Sequence, residues 1–288
     1  MKTNLSLLIS GTLGYKSLID LYNFVNIKWI ATDKGSFEII EYAENKNIPL
    51  FIGNPRNGKL TNFVSEYKND LVLSINYLFL LEKEFIKNVK YPINFHGSLL
   101  PKYRGRTPHV WAIINNEIET GVTAHFIDFG CDDGAIILQQ KLPILDNDTG
   151  FTILEKFYKI YPLLIKRVIK LYETNNITST KQNHSISTKY AKRSPLDGRI
   201  NWDWQKDRIR NWVRAQAYPY PGAFTYYNKK KIVIDKVSFS EYGFDNELDN
   251  GTILRVKPEL IIKTSNGSIK IDLIRSNDIN FVKYQKLR

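Results

Sequence analysis

A chain of 288 residues with 43% apolar content is long enough for one large domain and a smaller one, which excludes disorder as the default reading. Its 41 Lys and Arg against 29 Asp and Glu leave a net charge of +12, which suits a phosphate-bearing partner, either nucleic acid or a nucleotide-linked small molecule, and equally suits a Lys-rich codon supply. One cysteine, Cys131, excludes an internal disulfide; the absence of grouped histidines argues against structural zinc, and the lack of any run of about 18 apolar residues argues against a spanning helix.

Residues 5–9 form an apolar run ending at Ser10-Gly11, after which Leu13, Ser17, Leu18, Leu21 and Tyr22 recur at helical spacing. This reads as a strand, a glycine turn and a helix. The run begins without a signal peptide's cleavage region, so a cytoplasmic protein is expected. The alternation continues with a strand at 27–31, a helix over about 37–45, a strand at 49–52, a helix near 60–67 and a strand at 71–75. Apolar strands separated by amphipathic helices predict an α/β fold with a mainly parallel sheet and helices on both faces. Ligands of such sheets gather beyond the carboxyl ends of the strands, where segments 74–81 and 94–108 fall.

The densest chemistry lies in the run from Ile93 to Gly105. Asn94 and His96 are two apart in a β segment and therefore share a face. An amide there can donate to a developing oxyanion, and a neutral imidazole can take a proton near neutral pH. Alone, the pair is a weak signal and reads more readily as a satisfied structural histidine. The Gly-, Pro- and Arg-containing loop Gly97-Ser98-Leu99-Leu100-Pro101-Lys102-Tyr103-Arg104-Gly105 follows directly. Further on, an alternating strand from Glu119-Thr120-Gly121-Val122-Thr123 ends in the acidic turn Phe129-Gly130-Cys131-Asp132-Asp133-Gly134. A carboxylate from this turn beside His96 would hold the imidazole's tautomer; by itself the turn reads as a solvated loop.

Ile153, Leu154, Phe157, Ile160, Tyr161, Leu164, Ile165 and Val168 make one stripe of a core helix over 151–172, which Pro162 is expected to kink. Residues 174–187, rich in Asn, Ser and Thr, read as a linker or exposed loop, with a domain boundary near 190. Beyond it come a helix over 207–217 and strands at 223–227, 231–237, 251–255, 260–263 and 269–274. The expected domains are 1–190 and a small β-rich, barrel-like one at 191–288.

Asn94-x-His96, then Ser98-Leu99-Leu100-Pro101-x-Tyr103-Arg104-Gly105, then the Gly121-Val122-Thr123 strand and Asp132-x-Gly134, taken together over most of residues 1–275, resemble the formyltransferase family that uses N10-formyltetrahydrofolate. The resemblance implies a Rossmann-like first domain and a catalytic trio of Asn94, His96 and Asp132, with Asp133 the nearest competitor. It also implies a donor site for N10-formyltetrahydrofolate from Tyr77, Phe79, Leu80, Phe126 and Asp132, of which the apolar members read equally as ordinary core.

Two branches of the family share the trio: methionyl-tRNA formyltransferase, and enzymes that formylate an amino group of a nucleotide-linked sugar. Thr32-Asp33-Lys34-Gly35-Ser36 joins the second strand directly to a helix and leaves little room for a basic tRNA-gripping loop. Tyr218-Pro219-Tyr220-Pro221-Gly222-Ala223-Phe224 looks like the sugar branch, offering flat faces for a base near arginines for a diphosphate. In that second domain Trp202, Trp204 and Trp212 read equally as packing residues. The acceptor set is expected to be Ser10, Arg104, Arg193, Arg214, Tyr218 and Tyr220. The expected reaction formylates a dTDP-linked amino-dideoxysugar, 4-amino-4,6-dideoxyglucose, for surface polysaccharide such as lipopolysaccharide O-antigen. No metal, nucleic-acid or membrane partner is expected, and a homodimer is. A catalytically inactive nucleotide-sugar or folate-binding protein is the remaining reading, and it would have little reason to keep all three reactive residue types.

Overall fold

In the computed structural model, which describes residues 2–275 and 279–288, the first apolar run is strand β1 (Thr3–Ile9), buried from Leu5 onward. It leads into α1 (Gly11–Tyr22), β2 (Val25–Thr32), α2 (Phe37–Asn45), β3 (Leu50–Ile52), α3 (Lys59–Phe63), β4 (Leu71–Ile75), α4 (Lys83–Lys87) and β5 (Tyr91–His96). The chain continues through β6 (Arg104–Gly105), α5 (Pro108–Ile114), β7 (Glu119–Phe126), β8 (Ile136–Pro143), α6 (Gly150–Glu173) and β9 (Lys189–Tyr190). It ends with α7 (Lys206–Ala215), β10 (Ala223–Tyr227), β11 (Lys230–Ser240), β12 (Ile253–Arg255), β13 (Leu260–Thr264) and β14 (Gly267–Ile274).

The described residues divide into two units: Met1–Gly105, Thr120–Leu142 and Lys156–Tyr190 in the first, Arg106–Glu119, Pro143–Glu155 and Ala191–Arg288 in the second. The first holds a seven-stranded sheet in the order β3-β2-β1-β4-β5-β7-β8. Pairing is parallel from β3 through β5, and β7 runs antiparallel to β5. The expected mainly parallel sheet is therefore present. The strand order reverses direction between β1 and β4, the position at whose carboxyl ends ligands of such sheets gather. Trp29 anchors the core beneath: it is fully buried, packs edge-on against Phe63 and Phe85, and its indole N–H donates to Asn69 at 2.9 Å.

Ile153, Phe157, Tyr161, Leu164, Ile165 and Val168 are the buried stripe of α6, and the helix runs through Pro162 without a break in its assignment. Segment 174–187 is, as its composition leads one to expect, mostly exposed; Gln182 is the exception. Thr180 pairs with Ile136, residues His184–Ile186 form a 3-10 turn, and Gln182 is buried. From this exposed segment Gln182 turns inward to the carbonyls of Asp132 and Gly134 and to Arg104.

In the second unit a five-stranded antiparallel sheet runs β10-β11-β14-β13-β12. The C-terminal residues pair with both of its edges: the Arg288 and Tyr226 backbones exchange hydrogen bonds at 2.7 and 2.8 Å, and Ile253 bonds Tyr284 and Gln285 at 2.8 Å. Pairing both edges with one segment leaves neither strand open and gives the domain its barrel-like closure. Trp202 donates to Thr225 at 3.0 Å and Trp212 donates to the Gly198 carbonyl at 3.1 Å, so both serve the interior of this unit, while the half-buried Trp204 packs on Trp212. Among the described residues no helix is long and apolar enough to cross a membrane.

Candidate active site

Strand alternation puts Asn94 and His96 on one face of β5, and the antiparallel register of β7 sets Thr123 opposite His96 and His125 opposite Asn94. Thr123 then ties down the loop that follows β5. Its hydroxyl donates to the Ser98 carbonyl at 2.6 Å and accepts from the Leu100 amide at 3.2 Å, while the Ser98 hydroxyl donates to the Lys102 carbonyl at 2.8 Å. The loop turns back at Tyr103, whose φ of +60° is uncommon for a bulky residue. Its ring stacks on Tyr190 and its amide donates to Thr188 at 2.8 Å. That turn delivers the Tyr103 carbonyl to 2.8 Å from His96 Nε2.

Asp132 sits at the end of the β7–β8 connection with φ +56°, a conformation that Asp tolerates better than most residues. Its carboxylate accepts from the Gly105 amide at 2.9 Å and the Cys131 thiol at 3.3 Å; Oδ1 lies 3.6 Å from His96 Nδ1 and 3.4 Å from Asn94 Nδ2. The turn is held from beneath by Gln182, whose amide donates to the carbonyls of Asp132 at 2.9 Å and Gly134 at 2.7 Å. A side chain at Gly134 would place Cβ 1.9 Å from the Phe126 carbonyl oxygen, and one at Gly105 would place it 2.2 Å from the Tyr190 oxygen, so both loops close only with glycine. The neighbouring Asp133 folds its carboxylate over Gly130, where a Cβ would meet it at 1.7 Å. Asp132 is thus the acid that faces the imidazole.

These contacts orient the imidazole. A carbonyl only accepts, so His96 Nε2 carries a hydrogen toward Tyr103 and Nδ1 turns to Asp132. Burial pushes the Asp132 carboxyl up, but His96, the Gly105 amide, His125 and Cys131 outweigh it and hold the group below its ordinary value. Asp132 is therefore an anion at neutral pH. A proton reaching His96 Nδ1 is met by that anion.

Of the residues expected at the donor site, Leu80 is 60% exposed, Phe79 is half-buried and packs edge-on against Tyr77, and Phe126 stacks on Tyr91. The Tyr77 hydroxyl and the Thr32 hydroxyl at the end of β2 are buried without a hydrogen-bond partner among the described residues. Burial, with the Asp33 charge adding to it, pushes the Tyr77 phenol above its ordinary value.

The expected acceptor residues have varied surroundings. Ser10 is buried at the end of β1, and its carbonyl accepts from Asn76 at 2.9 Å. Arg104 is buried, with its guanidinium on Gln182 at 2.6 Å and His184 at 3.2 Å. In the second unit, Arg193 lies over the rings of Trp111 and Trp212 and donates to Gln216 at 2.9 Å, leaving Nη1 without a partner among the described residues. Arg214 donates to Asn211 at 2.8 Å and to the carbonyls of Leu145 and Asp148 at 3.1 and 3.0 Å. Tyr220 shares a 3.1 Å hydrogen bond with His109, and Tyr218 is 75% exposed. Three members of the site had no place in the sequence reading: His125, Gln182 and the Tyr103 carbonyl. The one local signal for His125 was its place two residues beyond Thr123 on the same strand face.

A doubly wound sheet bearing an Asn, His and Asp cluster beyond its strand ends defines the class, and the comparisons with known proteins agree with it. The Formyl transferase model matches residues 20–169 and the Formyl transferase, C-terminal domain model matches 192–286, so the chain belongs to the formyl transferase family. It is 33% identical over 260 residues to the bifunctional polymyxin resistance protein ArnA of Wigglesworthia glossinidia brevipalpis, covering 89% of this chain and 39% of that protein. The chain thus spans well under half the length of this relative. Among solved structures it is similar to WlaRD, a sugar 3N-formyl transferase crystallised in the presence of dTDP and 5-N-formyl-THF, at 24% identity, with 94% of this chain and 97% of that one covered and a TM-score of 0.70. It is also similar to the N-formyltransferase from Helicobacter canadensis in complex with folinic acid and dTDP-3-aminofucose, at 22% identity, 94% and 99% coverage and a TM-score of 0.74. At those identities the shared property is the fold.

Proposed function

We propose that this protein transfers a formyl group from N10-formyltetrahydrofolate to the amino group of a dTDP-linked amino-dideoxysugar, with 4-amino-4,6-dideoxyglucose as the acceptor, in the cytoplasmic synthesis of surface polysaccharide. The observation that carries the reading is the pairing of His96 Nδ1 with the Asp132 carboxylate at 3.6 Å beside Asn94, in a chain of the formyl transferase family. The exposed Leu80 and the half-buried Phe79 and Phe126 suit the flat ring of the donor, and the unpartnered Tyr77 hydroxyl suits a polar edge on it.

The amine attacks the formyl carbon as the bond to the donor nitrogen breaks, giving the N-formyl sugar and tetrahydrofolate. His96 takes the proton lost by the amine at Nδ1, Asp132 steadies the resulting imidazolium, and the proton then passes to the departing donor nitrogen, which returns His96 to its neutral form. Asn94 donates to the oxygen on which charge develops.

A panel of dTDP- and UDP-linked amino sugars, with the amine at C3 or C4, tests the assignment. Formylation of the dTDP-linked 4-amino sugar with the highest kcat/KM is expected. Preference for a 3-amino sugar would correct the acceptor and keep the chemistry.

A further inference from the structure

His125 touches the trio, yet the proton transfer described above does not use it. The β5–β7 register places it opposite Asn94, and it is 2% exposed. Its Nδ1 lies 2.7 Å from the Phe126 carbonyl. A carbonyl accepts and never donates, so Nδ1 carries the hydrogen and Nε2 is left with a lone pair. Asn94 Nδ2 sits 3.1 Å from that lone pair. Only the amino end of the amide fits there, because the flipped orientation would set its oxygen against both the lone pair and the Asp132 carboxylate.

The amide of Asn94 therefore has one fixed orientation. One N–H is anchored on His125, and the other reaches Asp132 Oδ1 at a looser 3.4 Å. A long contact is the easier one to exchange for a stronger acceptor. Burial keeps the anchor in its accepting form: it drives the His125 imidazole down to about 4, against the pull of Asp132 and Asp133 and with the push of His96, so Nε2 stays unprotonated at neutral pH.

We propose that His125 is a positioning residue that, by accepting one N–H of Asn94, aims the other at the formyl oxygen and so makes Asn94 a donor to the developing oxyanion. The proposal rests on the formyl-transfer reading given above.

A double-mutant cycle tests it. His125→Leu removes the acceptor and is expected to lower kcat by roughly 10- to 100-fold, with KM for the formyl donor changed less than about threefold, since an oxyanion donor acts in the transition state. His125→Gln keeps an acceptor near the Nε2 position and is expected to recover at least about a third of the wild-type kcat. In an Asn94→Ala background, His125→Leu should cost nothing further, because the residue acts through Asn94. Equal losses in the Leu and Gln variants, or additive losses in the double mutant, would overturn the proposal. If His125→Leu does not fold, His125→Met carries the same cycle. Nitrogen NMR of the unliganded wild type, which needs no acceptor, should find His125 protonated at Nδ1 and bare at Nε2. The opposite tautomer would sink the idea, whereas failure of the wild type to formylate any amine would count against the functional reading alone.

Discussion

His125 in the first unit and His109 in the second are both buried so thoroughly that their imidazoles are driven down to about 4, but they are put to different use. His109 shares a hydrogen bond with the Tyr220 hydroxyl, which also reaches the Gly150 carbonyl. His125 spends Nδ1 on a neighbouring carbonyl and turns Nε2 to the Asn94 amide. The charged groups sharpen the contrast. Arg214 gives its donors to two loop carbonyls and Asn211, whereas Asp132 takes support from the Gly105 amide and still holds Oδ1 toward His96. Burial alone does not mark a reactive group; a site shows where supported groups keep one atom turned to one another.

The largest effect expected of breaking the first arrangement comes from His96→Asn, which removes the proton acceptor. With folding intact, kcat should fall by about two to four orders of magnitude in a formyl-transfer assay. Retention of more than roughly a tenth of the wild-type rate would remove His96 from the role of base.

Next comes the pair Asp132→Asn and Asp133→Asn, which separates the supported acid from its neighbour. The first should lower kcat by about two orders of magnitude or more, because it takes away the charge that meets the imidazolium. The second, whose carboxylate lies over Gly130, should stay within about threefold. The reverse ranking would move the catalytic carboxylate by one position.

What the two histidines share predicts a pH effect. Each has a folded value near 4 against 6.5 for the free side chain, so between these limits the unfolded chain binds more protons. Stability is therefore lost as pH falls from about 6.5 to 4, by on the order of 3 kcal/mol for each group when complete. The Asp132 carboxyl, held low, adds a loss of the same sign below its unfolded value of about 3.9. Urea unfolding at pH 7, 5.5 and 4 measures the slope, and a flat profile would mean that neither imidazole is excluded from solvent.

The trio was legible in the sequence because its members lie in short, ordered segments. Asn94 and His96 are related by strand alternation alone, and the acidic turn is flanked by glycines. Alternating apolar runs likewise displayed β1, β2, β4 and the helices α1 and α2. The supporting groups were not legible. Asn94 and His125 are 31 residues apart and meet only through the β5–β7 register, and Gln182 reaches back 50 residues to the Asp132 carbonyl from a segment whose composition reads as solvent-exposed. The helices α4 and α5 span five and seven residues, too short for a period to emerge. Strand β8 mixes exposed and buried positions without clean alternation.

The central claim is that the supported His96–Asp132 pair formylates a sugar amine and not the amine of a charged tRNA. The most direct measurement offers the purified protein Met-tRNA and the dTDP-linked amino sugar together, with limiting N10-formyltetrahydrofolate, and follows the formyl group by mass spectrometry. The account predicts N-formyl sugar with the tRNA left unmodified, at a rate that varies little with salt, since gripping a polyphosphate backbone would make the rate fall steeply. Formyl groups on the tRNA alone would contradict it.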